Sequence, residues 1–190
     1  MASAIVWDLE TILEVDAAAR MLGMKDASPE DVRAALGTGF PKAPLHKIAC
    51  IGALVASRRE KGWHIDALGA PHMGERSEGE LISSCVDRIA QLHPQLITFN
   101  GSSFDLPVLR YRAMVNRVSA AGLCGRPYFN RYSDDALDLC EVLGSFTPTP
   151  TAKVSLDAIS KVLGLDGKPG GVDGSQVEGF VADGRIAEVA

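Results

Sequence analysis

The stretch Ile5-Val6-Trp7-Asp8-Leu9-Glu10-Thr11 sets the terms for the rest of the chain. A short apolar run, about residues 3–8, reads as a strand that ends in two carboxylates spaced by one residue. Side chains alternate between the faces of a strand, so Asp8 and Glu10 point the same way. Two anions held that close repel each other and lose hydration. A fold that aims them together usually supplies a compensating cation. Hard oxygen ligands at the end of a strand suit Mg²⁺ or Mn²⁺. The other reading is a strand that ends in solvent with two hydrated acids, and D-x-E alone does not choose between them.

A chain of 190 residues, 46% of them apolar, can bury a real core as one domain. No apolar run approaches the roughly 18 residues needed to span a bilayer. The N-terminus has no basic, signal-like segment, so the expected location is cytoplasmic, with no membrane partner. Cys50, Cys85, Cys124 and Cys140 form no C-x-x-C pair, which argues for reduced thiols over zinc or a disulfide framework. The four histidines lack metal-ligand spacing, and none is assigned to a metal.

The net charge of −5 argues by itself against a nucleic-acid binder. Its distribution says more. Residues 1–132 carry 15 basic and 14 acidic side chains, whereas residues 133–190 carry 4 and 10. Arg110, Arg112, Arg117, Arg126 and Arg131 fall in a stretch without an acid, interleaved with Tyr111, Tyr128 and Phe129. Arginine with aromatics suits a single strand, through phosphate contacts and base stacking. A solvated helix face followed by a loop fits the same pattern.

Along the chain, residues 14–37 read as a helical insertion: a lid, a substrate contact or a decoration. Residues 16–22 form a helix stopped by Gly23; Ser28-Pro29-Glu30-Asp31 starts a second, with Ser28 as cap, Pro29 at the first position and acids against the helix dipole. Residues 48–56 are apolar with little alternation, as in a strand buried on both faces. Residues 63–68 pair back as a hairpin. Ser77-Glu78-Gly79-Glu80 is a capping box. The helix it opens carries Ile82, Cys85, Val86 and Ile89 on one face, and His93-Pro94 ends it. Residues 96–99 form a strand parallel to its predecessor in the sheet.

That strand runs into Asn100-Gly101-Ser102-Ser103-Phe104-Asp105-Leu106-Pro107. Gly101 permits a sharp turn, and Asp105 sits where a helix N-cap belongs, with Leu106, Leu109 and Ala113 facing inward. Asp105 is then a cap, a third carboxylate at the sheet edge that carries Asp8 and Glu10, or both, because α/β sheets place sites at strand ends and helix N-termini.

Asp8-x-Glu10-Thr11, together with Asn100-Gly101-x-x-Phe104-Asp105 after an apolar strand, resembles the first and second motifs of the DEDD 3′–5′ exonucleases. Among them the chain is similar to stand-alone bacterial proteins related to the exonuclease domain of family B DNA polymerases. The likeness continues through Leu137-Asp138-Leu139, Ser155-Leu156-Asp157, Val162-Leu163-Gly164, Lys168 and Gly174-Ser175-Gln176-Val177, covering nearly everything outside 14–37. The resemblance implies an α/β, RNase H-like fold: a mixed sheet of about five strands flanked by helices, with 1–190 as a single exonuclease domain. It implies two-metal hydrolysis, removing nucleotides from the 3′ end of single-stranded DNA, with RNA not excluded. Asp8 would bridge two Mg²⁺ (or Mn²⁺) ions, Glu10 would hold the first and Asp105 the second, partly through water. Ions about 3.5–4 Å apart activate a water and stabilise the leaving 3′-oxygen. Thr11, Asn100, Gly101, Phe104 and Arg110 would hold substrate, Phe104 by stacking or wedging; core packing is the other reading of Phe104.

The family's third motif, Tyr-x-x-x-Asp or His-x-x-x-x-Asp on a late helix, is expected beyond residue 190. Asp183 reads as the loop before it, and the overall likeness favours the tyrosine subclass. Without that motif the alternative is a catalytically impaired or non-catalytic nucleic-acid-binding relative. Asp138 could approach the metals, but the stronger expectation is a buried, hydrogen-bonded acid at a strand end. Lys153 and Lys168 are either contacts to the scissile phosphate or ordinary solvated lysines.

Overall fold

A computed structural model describes residues 2–128, 130, 133–146, 154–167 and 174–189. Phe129, Arg131, Lys153 and Lys168 lie outside the described residues.

Strand β1 (Ser3–Leu13) is the centre of the molecule. It pairs antiparallel with β2 (His46–Arg59), which pairs antiparallel with β3 (Gly62–Gly69). On its other edge it pairs parallel with β4 (Gln95–Thr98), and β4 pairs parallel with β5 (Ala136–Asp138). The order β3-β2-β1-β4-β5 is a mixed five-stranded sheet, as the resemblance implied. Two helices precede β2, α1 (Val15–Leu22) and α2 (Pro29–Leu36). Helix α3 (Glu78–Leu92) links β3 to β4, and α4 (Asp105–Val115) follows β4. Shorter helices are α5 (Ala121–Cys124), α6 (Leu139–Gly144), α7 (Leu156–Val162) and α8 (Val177–Ala182). Among the described residues, no helix is long and apolar enough to cross a membrane.

Alternation along β1 decides which face is filled. Ile5, Trp7 and Leu9 are buried and join Ile48, Ile51, Val55 and Leu96 in one core. Onto it α3 brings Leu81, Ile82, Val86 and Ile89, and α4 brings Leu106, Val108, Leu109 and Ala113. Each leucine, isoleucine or valine among them contributes about 1.5–3 kcal/mol when fully buried, which fixes both helices to this face. Val6 and Asp8 point the other way and are exposed. Helices α1 and α2 share a separate small core of Ala18, Ala19, Val32 and Leu45.

The local signals act as expected where the chemistry is local. The Ser77 side chain accepts from Glu80 N–H while Glu80 reaches back to Ser77 N–H, the full capping box. Ser28 caps α2 through Asp31 N–H, and Gly23 closes α1 in the left-handed region. Two expectations need correcting. Strand β1 does not stop near residue 8; its ladder with β2 runs on to Leu13 opposite His46. The register slips between Glu10 and Thr11, where Ala49 is the extra residue on β2. Bulges of this kind re-aim side chains, here beside Glu10. Second, Asp105 is not an N-cap. It is the first residue of α4, Phe104 holds the cap position, and no side chain caps that helix. The Asp105 carboxylate has a partner elsewhere.

Candidate active site

The pairing of β1 with β4 covers only Ala4 to Val6. Past Val6, the β4 edge of β1 faces the turn after β4 and the start of α4. There the Oδ1 of Asp105 accepts the backbone N–H of Leu9 at 3.1 Å. A carboxylate thus stands in for the missing strand partner, 96 residues away in sequence, and a buried donor is satisfied. The same bond fixes Asp105 beside the residue that separates Asp8 from Glu10. All three acids line one cavity of about 480 Å³, with Thr11, Phe40, Pro41, His46, Phe99, Asn100, Phe104, Ser175 and Glu178 among its walls. A second cavity, about 580 Å³, is almost wholly apolar and lies on the open face of the sheet; Asp8 borders both.

Burial and neighbouring acids set the electrostatics of the described part of the site. Asp105 is 3% exposed, and burial, reinforced by the Asp8 charge, pushes its carboxyl up to about 7 against the help of Leu9 N–H. Cys50 sits opposite Glu10 on β2. Its thiol is raised to about 11 by burial, then by Glu10 and Asp8. The donor chemistry, carboxylate oxygens crowded round one cavity, fits a hard divalent cation. Among the described residues, however, no three His, Cys, Asp or Glu side chains are gathered closely enough to form a ready metal cluster.

The turn that delivers Asp105 is built from the residues singled out in the sequence, though not always for the expected reason. Asn100, not Gly101, takes the left-handed conformation, φ 68°. Gly101 is needed for contact instead: a Cβ there would lie 2.6 Å from Cγ2 of Thr98 and closer still to its hydroxyl. Asp138, at the end of β5, accepts from the N–H groups of Asn100, Ser102 and Cys140 at 2.7, 3.0 and 3.0 Å, and from the Ser102 hydroxyl at 2.7 Å. It is the buried, hydrogen-bonded strand-end acid expected, and it holds the turn. Thr11 lines the cavity, with its hydroxyl 2.9 Å from Nδ1 of His46. Phe104 is half-buried at the same wall.

The arginine stretch divides. Arg110 and Arg117 are exposed and do not line the cavity. Arg112, read as part of a strand-binding face, is instead 2% exposed and paired with Glu78 and Glu14. Arg126 pairs with Asp135 and lies over the Tyr128 ring. Phe40, His46 and Glu178 are cavity residues that the sequence did not flag. Glu178 is ion-paired to Arg33, tying α8 to α2 across the site.

A mixed sheet of this order, flanked by helices, defines the class by its fold, which is RNase H-like. Residues 38–190 match the family described as "Predicted 3'-5' exonuclease related to the exonuclease domain of PolB", and the chain belongs to that family. The family B DNA polymerase of the hyperthermophilic archaeon Pyrobaculum calidifontis aligns over 99% of this chain and 23% of its own, at 15% identity and a TM-score of 0.60. Exonuclease I aligns over 100% of this chain and 41% of its own, at 13% identity and a TM-score of 0.51. E. coli exonuclease I in complex with a dA16 oligonucleotide gives 11% identity, the same coverage and a TM-score of 0.51. The chain therefore spans about a quarter of the polymerase and two fifths of exonuclease I, and at such identities the likeness is one of fold. No curated protein sequence matches significantly.

Proposed function

We propose that this chain is a metal-dependent exonuclease that removes nucleotides from the 3′ ends of single-stranded DNA, with RNA ends as the alternative substrate. The observation that carries the proposal is the Asp105–Leu9 bond. It seats a third carboxylate on the cavity that Asp8 and Glu10 line. Asp8, Glu10 and Asp105 would hold Mg²⁺ or Mn²⁺. When bound, a pair of such ions lowers the pKa of an attacking water and stabilises the leaving 3′-oxygen. The chain's own residues do the positioning. Leu9 N–H orients Asp105. Asp138 fixes the turn carrying Asn100 and Gly101. Phe104 presents an aromatic face to the terminal nucleotide. Arg110 serves the strand outside the cavity. The single domain 1–190 and the helical insertion at 14–37 belong to the same reading.

The second reading, a non-catalytic nucleic-acid-binding relative, is favoured by the absence of a gathered three-ligand cluster among the described residues. One experiment separates the two. Wild type and Asp8→Ala are incubated with 3′-labelled and 5′-labelled single strands, in Mg²⁺ or in chelator. The nuclease reading expects Mg²⁺-dependent loss of the 3′ label, abolished by Asp8→Ala. Digestion retained in Asp8→Ala refutes the site. Binding without digestion by the wild type supports the second reading.

A further inference from the structure

The end of β1 is gripped from both faces. Leu13 packs against the small core of Ala18, Ala19, Val32 and Leu45 that seats α1 and α2. Ile12, one residue earlier, packs against a different small core, Ala49 with Val177 and Ile186, that seats α8. Successive side chains of a strand point to opposite faces, so α2 and α8 stand on opposite faces of the sheet. The ion pair of Arg33 with Glu178 joins them. Glu178 is also a wall of the carboxylate cavity, so the pair passes round the edge of β1 that β4 leaves open. We propose that this Arg33–Glu178 strap turns the cavity into a portal that admits an unpaired 3′ end and turns away a paired one. This rests on the nuclease reading and adds to it how a single strand is told from a duplex.

The strap is built to yield. The side chains of Arg33 and Glu178 are 41% and 46% exposed, and an exposed pair shifts an equilibrium by no more than about fivefold. Arg112, by contrast, meets Glu78 and Glu14 as a buried side chain. The two cores that the strap connects are small and separate from the one that holds the sheet, α3 and α4 together. Segments with few buried apolar contacts open at low cost. Helices α2 and α8 can therefore part while Asp105 keeps its bond to Leu9 N–H.

The number of chains at the mouth decides what enters. A lone strand end brings one backbone and one terminal base beneath the strap. A duplex end brings the complementary backbone as well, held to it by base pairs, and the strap must open to receive both. Arg33 lies in α2, ahead of residues 38–190, which match the exonuclease family. The cationic half of the strap therefore belongs to the part of the chain that this match leaves out.

The test compares digestion of two 3′-labelled DNAs in Mg²⁺: a linear single strand, and a GC-rich hairpin whose 3′ end is paired. The readout is the ratio of their initial rates, which a change in overall activity does not move. Arg33→Glu sets two like charges where the pair stood, turning the attraction into a repulsion of similar size. Digestion of the paired end is expected to gain about 2- to 30-fold on that of the single strand. Exchanging the charges, Arg33→Glu with Glu178→Arg, should return the ratio to that of the wild type. Neither side chain belongs to a core, so the variants fold. A wild type that digests both DNAs equally, a ratio unmoved by Arg33→Glu, or one not restored by the exchange overturns the strap and leaves the nuclease reading standing. Failure of the wild type to release either 3′ label overturns both.

Discussion

Replacing Arg112 by methionine tests how the site-bearing helix is held. Nε of Arg112 donates to Oε1 of Glu78 at 2.7 Å; Nη2 donates to Oε2 of Glu78 at 2.5 Å and to Oε2 of Glu14 at 2.8 Å. Glu78, itself 8% exposed, also accepts Ile48 N–H at 2.7 Å and Asn116 Nδ2 at 2.9 Å. One buried carboxylate therefore joins α3, α4 and β2, and Arg112 adds the residue after β1. Methionine keeps the apolar stem but leaves Glu78 without its cation. Breaking such a buried pair costs about 3–5 kcal/mol. In a domain this size that lowers Tm by roughly 6–20 °C. The pH dependence gives the sharper signature. In the native protein burial pushes the Glu78 carboxyl up, but Arg112, Asn116 and Ile48 N–H together hold it below its ordinary value. A depressed folded pKa means stability that is present above the unfolded value, about 4.3, and lost as pH falls through the folded one. Without Arg112 burial dominates, the folded pKa rises, and the group costs stability as pH climbs past about 4.3. The gap between the two proteins should be widest near neutrality and narrow towards about pH 4, read as Tm by circular dichroism. Adding Glu78→Leu to Arg112→Met should recover much of the loss. A small gap, or one equally large at both ends of that range, refutes this account of the network.

On the nuclease reading, Arg110→Ala with Arg117→Ala should weaken single-strand binding and reduce the slope of log affinity against log salt by about 1.4, roughly 0.7 per lost phosphate contact. An unchanged slope, measured by fluorescence anisotropy, places both side chains away from the strand. Gly101→Ala drives a Cβ into Thr98, an overpacking worth about 1–3 kcal/mol; a Tm equal to wild type would mean that the turn has room to spare.

Elements whose cause lies within a few residues were legible in the sequence. The capping box at Ser77, the Ser28 cap, the glycine stop at Gly23 and the inward stripe of α3 all depend on neighbours along the chain. What escaped depends on partners far off in sequence. Asp105 looks like a cap because its position before an apolar stripe fits one. Only the edge of β1, left open where β4 ends, gives its carboxylate another donor. The full length of β1 is set by its ladder with β2 beyond residue 8. Arg112 could have been found: three residues beyond Leu109, it falls on the buried side of α4 by helical period. A basic stretch read as one unit hid it. Phe40 and His46 carried no usable signal, since their value comes from ring contacts with each other and with Phe104.

Helix α4 links the two halves of the proposed mechanism. Asp105 is its first residue, while Arg110 stands exposed about 7.5 Å further along at 1.5 Å per residue, with Arg117 just past its end. The helix starts at the acidic cavity, carries one exposed arginine at mid-length and has another just past its end. Phosphates are attracted where the exposed arginines are. On this arrangement salt acts mainly on strand capture, and divalent ions act mainly on turnover. Raising salt at saturating substrate should then leave the rate of 3′-label release nearly constant while apparent affinity falls. Removing divalent ions should stop release with the strand still bound. If both dependences appear together in one kinetic parameter, the strand does not lie along α4.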